Sequence, residues 1–255
     1  MDGAARIIAD ARANYSDRLL MSKDTIFVLI KLKQYDEAEF LIKKTGGSRF
    51  SEPYFFEELA RIYWLRGDHL KAIQICKDMR RKFPGEFSGY MLAAGWLAEL
   101  GKLKEADDLM AAAVRAAPND NLGFLRMRAR LAMQRQDWKA AAQRWKLVSE
   151  VDGMIGLAQC YVEMGRFDDA ELALEPALVS RERREAYKQM ARIAERKEDW
   201  PEAARRWENV RILFPLEQMA YTQSIKALSK CEQFEKAAIV REQAQARFPA
   251  QFPQK

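Results

Sequence analysis

One short context recurs seven times along this chain of 255 residues, each time around an alanine that follows a short polar turn. The intervals between successive copies are 34, 34, 35, 29, 33 and 34 residues, a regularity that chance does not produce. The alanines are Ala38, Ala72, Ala106, Ala141, Ala170, Ala203 and Ala237. A period of this length is typical of arrays of small units that bury a core only by stacking on one another.

The residues around each alanine repeat as well. Most copies have a large apolar residue three positions before the alanine, a small or apolar residue twelve before it and a core-sized residue four after it. About twelve positions after the alanine, where proline would end a helix, four copies have Pro84, Pro118, Pro215 and Pro249. Turns such as "RGD", "RQD" and "KED" separate the apolar patches, and their aspartates are suited to capping the following helix. Each unit is therefore predicted to be a helix, a tight turn and a second helix.

This pattern resembles the tetratricopeptide repeat. The matching features are the 34-residue period, the small residue at repeat position 8, alanine at 20, a bulky residue at 24 and proline at 32. In that numbering the units begin near Leu19, Pro53, Phe87, Leu122, Val151, Arg184 and Gln218. The resemblance implies an all-α fold, a right-handed superhelical solenoid of antiparallel helix pairs. The chain departs from the family at position 4, where no unit has the family's tryptophan.

The domain organisation follows from the same register. Residues 18–250 are predicted to form a seven-repeat solenoid, preceded by a capping helix at 1–17 and followed by a tail at 251–255. The fourth repeat is five residues short, with its irregular part near 148–153. We therefore predict a truncated helix near Val148–Val151.

Two stretches, "DWKAAAQRWKLV" and "DWPEAARRWENV", share 7 of their 12 residues although they lie 62 positions apart. A duplicated active site and a duplicated packing unit would both give such a pair. The repeat register favours packing, because burying an indole ring contributes roughly 2–3 kcal/mol. We predict that Trp138 and Trp200 close turns between helices, and that Trp145 and Trp207 fill the gaps between successive units.

The sequence offers little that could support catalysis. His69 is the only histidine and falls at a predicted turn, and the chain has no serine elbow of the GxSxG type, no phosphate-binding loop and no HExxH motif. Acidic pairs such as Asp107–Asp108 and Asp168–Asp169 fall in the first turns of second helices, where carboxylates interact favourably with the helix dipole. We expect no enzyme activity, no cofactor and no metal site.

The cysteines and the apolar segments bear on the compartment. Cys76, Cys160 and Cys231 are widely spaced and form no CxxC pair, which favours reduced thiols over a disulfide framework or a zinc site. The first residues lack the apolar core of a signal peptide, and the longest apolar runs fall far short of the roughly 20 residues that cross a bilayer. We expect a cytoplasmic protein without a membrane span.

The resemblance also implies where a partner would bind. In the tetratricopeptide family, partners usually lie in the concave groove formed by the first helices, against positions 2, 5, 9, 12 and 13. Carried onto this chain, the implied partner-binding residues are Lys23, Phe27, Arg61, Trp64, Arg126, Arg130, Lys188, Arg192 and Lys226. The family's clamp for the terminal carboxylate of heat-shock proteins is not expected, because it needs asparagine where this chain has Phe27.

The charges in this set favour an acidic partner. Arg126 and Arg130 are four residues apart, as are Lys188 and Arg192, and like charges at that spacing repel unless something neutralises them. Arginine grips carboxylates well, and the net charge of +6 permits an acidic partner. The leading hypothesis is a non-catalytic scaffold or adaptor that holds a partner protein or acidic peptide in a basic groove.

Three other hypotheses stay open from the sequence. The chain is also similar in style to the tetratricopeptide arms of bacterial glycosyltransferases and envelope-polysaccharide complexes, which would make it a regulatory or assembly arm. An RNA-binding helical solenoid is less favoured, because position 5 lacks a recurrent polar reader. Arrays of this kind normally need a polar terminal cap, and the third concerns the last repeat: its final helix is polar enough to cap itself, or it self-associates, or the chain is a fragment of a longer polypeptide.

Overall fold

The computed structural model describes residues 23–46, 52–116 and 121–251. The predicted capping helix at 1–17 and residues 252–255 of the predicted tail lie outside these ranges. In the described part the chain forms fourteen α-helices, arranged as seven consecutive pairs, and no strand. The all-α prediction of paired helices is therefore confirmed.

The chain divides into two compact units, residues 1–124 and 125–255, with the boundary inside one helix. The helices of the first unit are α1 (Lys23–Lys31), α2 (Tyr35–Gly46), α3 (Pro53–Leu65), α4 (His69–Lys82), α5 (Phe87–Glu99) and α6 (Leu103–Ala116). The helix at the boundary is α7 (Leu122–Gln134). The second unit continues with α8 (Trp138–Trp145), α9 (Val151–Glu163), α10 (Phe167–Leu174), α11 (Arg183–Arg196), α12 (Trp200–Leu213), α13 (Gln218–Lys230) and α14 (Phe234–Arg247).

The turn inside each pair has one backbone design. One residue in each of these turns has a positive φ. In chain order these residues are Lys33, Gly67, Gly101, Gln136, Gly165, Glu198 and Glu232. The next residue donates its N–H back to the first helix, as when Asp137 donates to the Ala132 carbonyl at 3.0 Å. This is the Schellman arrangement, which satisfies carbonyls that the helix end would leave unpaired.

Aspartates cap the second helices where the sequence predicted caps. The carboxylate of Asp68 accepts a hydrogen bond from the backbone N–H of Lys71 at 3.2 Å. Asp137 and Asp199 accept equivalent bonds at 3.1 Å each. These bonds begin α4, α8 and α12 by satisfying an unpaired N–H of the first turn.

The recurring alanines form the contacts between helices in the first unit. Ala38, Ala72 and Ala106 are fully buried, and each lies in the first turn of its second helix. The residues at position 8 and at position 24 of these repeats are equally buried: Ile26, Ala60, Ala94, Ile42, Cys76 and Met110. A methyl group at the crossing lets the helices approach closely, while the larger side chains fill the layer beside it.

The second unit follows the same rule until its last repeat. Ala141, Ala170, Ala203 and Ala237 are buried. In the last repeat, Ile225 at position 8 is half-buried and Arg241 at position 24 is exposed. Helix α14 has exposed polar residues together with Phe234 and Ile239, which are 64% and 54% exposed.

The duplicated tryptophans are packing residues. Trp207 is fully buried in a cluster with Ala191 of α11 and Ala220 of α13, so it joins two successive repeats. Trp145 is buried too, and its ring lies directly above Gly156 of α9. Trp138 and Trp200 begin α8 and α12 and are half-buried, next to the turns.

The fourth repeat closes in an unusual way. Helix α8 has eight residues, and the chain reaches α9 after Val148, which is buried. A Cβ atom on Gly153 would lie 1.8 Å from the Val148 carbonyl oxygen, and one on Gly156 would lie 2.3 Å from the Trp145 ring. The short connection therefore brings the chain against α9 so closely that only glycine fits at these two positions.

The fifth repeat has a feature that the sequence analysis missed. Helix α10 also has eight residues and continues as a 3₁₀ helix over Glu175–Val179. Pro176 lies in the first turn of that segment. Because proline lacks an N–H and its ring clashes with the preceding turn, the α-helical hydrogen bonding ends there.

Candidate functional site

The predicted site residues of the first unit lie on α1 and α3, and most of them interact within the chain. Lys23 pairs with Glu52 at 2.6 Å, and Arg61 lies 3.5 Å from the carboxylate of Glu58. Trp64 is half-buried. Phe27 is 53% exposed, with the ammonium of Lys31 5.3 Å from its ring centroid.

Burial changes the electrostatics of one of these pairs. Glu58 is 8% exposed, and desolvation by burial raises the pKa of its carboxyl group while the nearby Arg61 guanidinium opposes that rise. Arg61 therefore already has an acidic neighbour within the chain. It is less available to an external guest than its place in the repeat suggested.

The predicted site residues of the second unit are also largely paired. Arg126 forms ion pairs with Glu150 and with Asp152, the latter at 3.5 Å. The remaining pairs are Lys188 with Glu185 at 2.9 Å and Glu217 at 3.5 Å, Arg192 with Glu185 at 3.1 Å, and Lys226 with Glu195 at 3.8 Å.

These contacts answer the question that the like-charged pairs raised. Lys188 and Arg192 share the carboxylate of Glu185, whose pKa is lowered because hydrogen bonds from Lys188 and Gln189 outweigh its desolvation. The repulsion is thus relieved inside the chain, so these like-charged pairs do not by themselves favour an acidic guest. Arg130 differs from the others, because it has no hydrogen bond or ion pair with any residue in the described ranges.

Three of the five predicted residues in this unit line a groove along its first helices. The groove consists of two pockets of about 440 and 390 Å³ that share Gln159, and we call it the Gln159 groove. The first pocket is lined by Arg130, Met133, Gln134, Trp145, Asp152, Ile155, Gly156 and Gln159. The second is lined by Gln159, Val162, Glu163, Gln189, Arg192, Ile193, Glu195, Arg196, Trp200 and Lys226. Arg126 and Lys188 do not line either pocket.

The two ends of the Gln159 groove differ in electrostatics. At the second pocket, Arg196 pairs with Glu163 at 3.0 Å, and Glu195 accepts a hydrogen bond from the Trp207 indole N–H at 2.9 Å. At the first pocket, the corresponding indole N–H of Trp145 donates instead to the sulfur of Met133 at 3.2 Å. The second pocket is therefore rich in neutralised ion pairs, whereas the first is more apolar and contains the unpaired Arg130.

A larger groove lies elsewhere on the second unit, and sequence reasoning missed it. It has a volume of about 580 Å³ and lies between the second helices α12 and α14, with Tyr221 and Leu228 of α13 among its lining residues. Between α10 and α12, Arg206 pairs with Glu171 at 3.1 Å. The repeat register is the signal that could have found this groove. Ala204 and Val240 both line this groove. In the preceding pair of repeats, the positions equivalent to Ala204 and Val240 are occupied by Glu171 and Arg206.

The described residues show little of the chemistry that catalysis uses. No three histidine, cysteine, aspartate or glutamate side chains in these ranges are grouped as metal ligands. All three cysteines are free. Burial raises the pKa of Cys76 to about 12 and that of Cys160 to about 11, so both thiols stay protonated. None of the described helices combines the length and the apolar character that a bilayer crossing requires.

Comparison with known proteins bears on the fold. No protein-family model matches the chain, and no curated protein matches its sequence. Solved structures with a similar backbone include the C-terminal part of a TPR repeat-containing protein from Cytophaga hutchinsonii, with 16% identity and a TM-score of 0.65 over 89% of this chain and 95% of that one.

A tetratricopeptide repeat protein from Parabacteroides merdae matches with 16% identity and a TM-score of 0.58, over 88% of this chain and 91% of that one. PilW, a widely conserved type IV pilus biogenesis factor, matches with 16% identity and a TM-score of 0.57, over 78% of this chain and 94% of that one. Similarity at this level of identity establishes the fold and leaves function to the site itself. The chain has the tetratricopeptide-repeat fold.

Proposed function

We propose that this protein is a non-catalytic scaffold that binds an extended, acidic segment of a partner protein in the Gln159 groove. The observation that carries the proposal is the unpaired Arg130 at the apolar end of that groove. Arg130 is exposed, so its guanidinium is free to form a bidentate, charge-assisted contact with an incoming glutamate or aspartate. Met133 and Ile155 in the same pocket would receive an apolar side chain next to it.

The ion pairs of the Gln159 groove bear on the charge and composition of the expected partner segment. Because Arg192, Arg196 and Lys226 already have carboxylate partners, an acidic segment gains one strong contact rather than a row of them. This supports an acidic segment with apolar residues over a polyanion. It also favours a protein over RNA, because a phosphate backbone would need several unpaired cations along its path.

A peptide of defined composition tests the proposal. The probe is a fluorescein-labelled nine-residue peptide that alternates leucine with glutamate, and its counterpart has glutamine in place of each glutamate. We expect the glutamate peptide to bind at least five times more tightly in fluorescence polarisation. Arg130→Gln should weaken it about three- to fivefold, since an ion pair with an exposed arginine contributes up to about 1 kcal/mol.

The matched control is Lys139→Gln. Lys139 is an exposed cation on the second helix α8 that lines neither pocket, so this change removes the same charge away from the groove. Binding should stay within twofold of the wild type. Equal loss in the two variants would mean that only net charge matters, and no loss in Arg130→Gln would remove the groove from the proposal.

The remaining elements of the proposal concern assembly and compartment. We infer that the protein acts in the cytoplasm, as its free thiols suggest. The exposed Phe234 and Ile239 are the large apolar residues of α14 that self-association through this helix would involve. Sedimentation velocity of the wild type and of a Phe234→Ser, Ile239→Ser variant would test this part separately.

A further inference from the structure

The first-helix face of the first unit has an open space at Gly95, in the middle of α5. At this repeat position the other units have side chains, namely Phe27, Arg61, Arg130, Gln159, Arg192 and Lys226. A Cβ atom on Gly95 would meet no atom within 4 Å, and Gly95 is not among the residues with positive φ. Neither packing nor backbone conformation requires glycine here, although glycine within a helix costs about 0.5–1 kcal/mol relative to alanine.

A pocket of about 390 Å³ occupies this space, and we call it the Gly95 pocket. It is lined by Glu57, Phe87, Ser88, Met91, Leu92, Gly95, Trp96 and Glu99. Its apolar residues come from α5, and Glu57 comes from the neighbouring first helix α3. The missing side chain thus leaves room above an apolar floor.

The walls of the Gly95 pocket are already held in place. Trp96 stacks on Trp64 with ring centroids 4.8 Å apart and ring planes 7° from parallel. The Ser88 hydroxyl donates a hydrogen bond to the carboxylate of Glu57 at 2.6 Å. A ligand would therefore meet a formed surface and would not have to order these side chains.

The charges of the Gly95 pocket are of one sign. Glu57 lies at the end marked by Ser88, and Glu99 lies eleven residues further along α5, which corresponds to about 16 Å of helix. No lysine or arginine lines the pocket, and neither carboxylate forms an ion pair with any residue that the structure describes. The pocket is thus an apolar strip with a carboxylate at each end.

We propose that the Gly95 pocket binds an extended segment of a partner protein that has two basic side chains about five residues apart and apolar residues between them. The spacing follows from the rise of about 3.3 Å per residue in extended chain, which covers 16 Å in about five residues. An apolar side chain between the two basic ones would occupy the space over Gly95. The proposal does not depend on the Gln159 groove, which lies in the other unit and is expected to bind the opposite charge.

The test uses a labelled nine-residue peptide with arginine at its second and seventh positions and leucine at its fourth and fifth. The counterpart has citrulline, which is neutral and nearly isosteric, in place of both arginines. Fluorescence polarisation gives the affinity, and the methyl signal of Met91 in a protein labelled with [methyl-¹³C]methionine reports where the peptide binds. We expect a saturable shift of that signal and at least fivefold weaker binding of the citrulline peptide.

Two variants identify the pocket. Gly95→Leu should weaken binding at least tenfold by filling the space, while its urea denaturation midpoint stays at or above that of the wild type. Glu99→Gln should weaken binding at least threefold, and the control Glu105→Gln, an exposed glutamate on the second helix α6, should leave it unchanged. Equal binding of the citrulline peptide, an unshifted Met91 signal or full affinity in Gly95→Leu would each overturn the proposal.

Discussion

The close contact between the fourth repeat and α9 gives the sharpest prediction about stability. In Gly153→Ala the added methyl group would lie 1.8 Å from the Val148 carbonyl oxygen and 2.9 Å from the Val148 Cβ. An ordinary contact needs about 3.4 Å or more. The backbone at Val148 would therefore have to move by more than 1 Å, and the side chain of Val148 is itself buried.

The expected magnitude is the difference of two effects. Overpacking of a well-filled site costs about 1–3 kcal/mol, and a backbone obstacle places this case at the upper end. Alanine gains about 0.5–1 kcal/mol over glycine in a helix, and less in the first turn, where Gly153 lies. We expect Gly153→Ala to lower the free energy of unfolding by about 2–3 kcal/mol.

Two further glycines calibrate this prediction in urea titrations followed by tryptophan fluorescence and circular dichroism. Gly156→Ala meets the Trp145 ring and should cost about 1–2 kcal/mol. Gly95→Ala, where the methyl group meets nothing, should stabilise the protein by about 0.5–1 kcal/mol. If the free energies of unfolding of Gly153→Ala and Gly95→Ala differ by less than 0.5 kcal/mol, the account of the short repeat is refuted.

Three other predictions follow from the turns, the carboxylates and the thiols. Glu198→Gly should stabilise the protein by about 0.5–1 kcal/mol in the same titrations, because glycine adopts the positive φ of this turn without strain; a destabilised variant would contradict this. The pKa of Glu39 is lowered to about 2, because hydrogen bonds from Lys43, Tyr63 and Arg66 outweigh desolvation, and the pKa of Glu202 is lowered to about 2 mainly by its hydrogen bond with Arg205. The stability that these two carboxylates contribute is present above the usual pKa of 4.5 and is lost as the pH falls from 4.5 towards 2. The melting temperature should therefore fall in that pH window, and it should fall less steeply in a Glu39→Gln, Glu202→Gln variant. Parallel curves of melting temperature against pH would refute the assignment. Finally, Ellman's reagent should label half-buried Cys231 first and buried Cys76 and Cys160 only as the protein unfolds, and three equal rates would contradict their burial.

The helix pairs could be predicted from the sequence because their determinants are local and periodic. An alanine at each helix crossing, an aspartate before the second helix and a proline after it recur at fixed offsets. The two eight-residue helices differ in this respect. The shortened α8 is visible as a shorter interval between alanines, whereas the end of α10 depends on Pro176 within a repeat of nearly normal length.

The candidate site could be predicted only in part. The repeat register named Arg130, Arg192 and Lys226, and these three residues line the Gln159 groove. It did not give their charge environment, because the neutralising carboxylates lie in neighbouring repeats: Arg126 and Glu150, for example, are 24 residues apart. The same limitation applies to Gly95, whose significance depends on the absence of any neighbour in space.

The central functional claim is that the first helices of the second unit receive an extended acidic segment, and photocrosslinking at Gln159 tests it most directly. A photoreactive benzoylphenylalanine would replace Gln159, where the two pockets meet, or Lys139 on α8 as the control. We expect the biotinylated leucine–glutamate peptide to crosslink from position 159, to be displaced by unlabelled peptide and to give no product from position 139. Equal crosslinking from the two positions, or none from position 159, would contradict the claim.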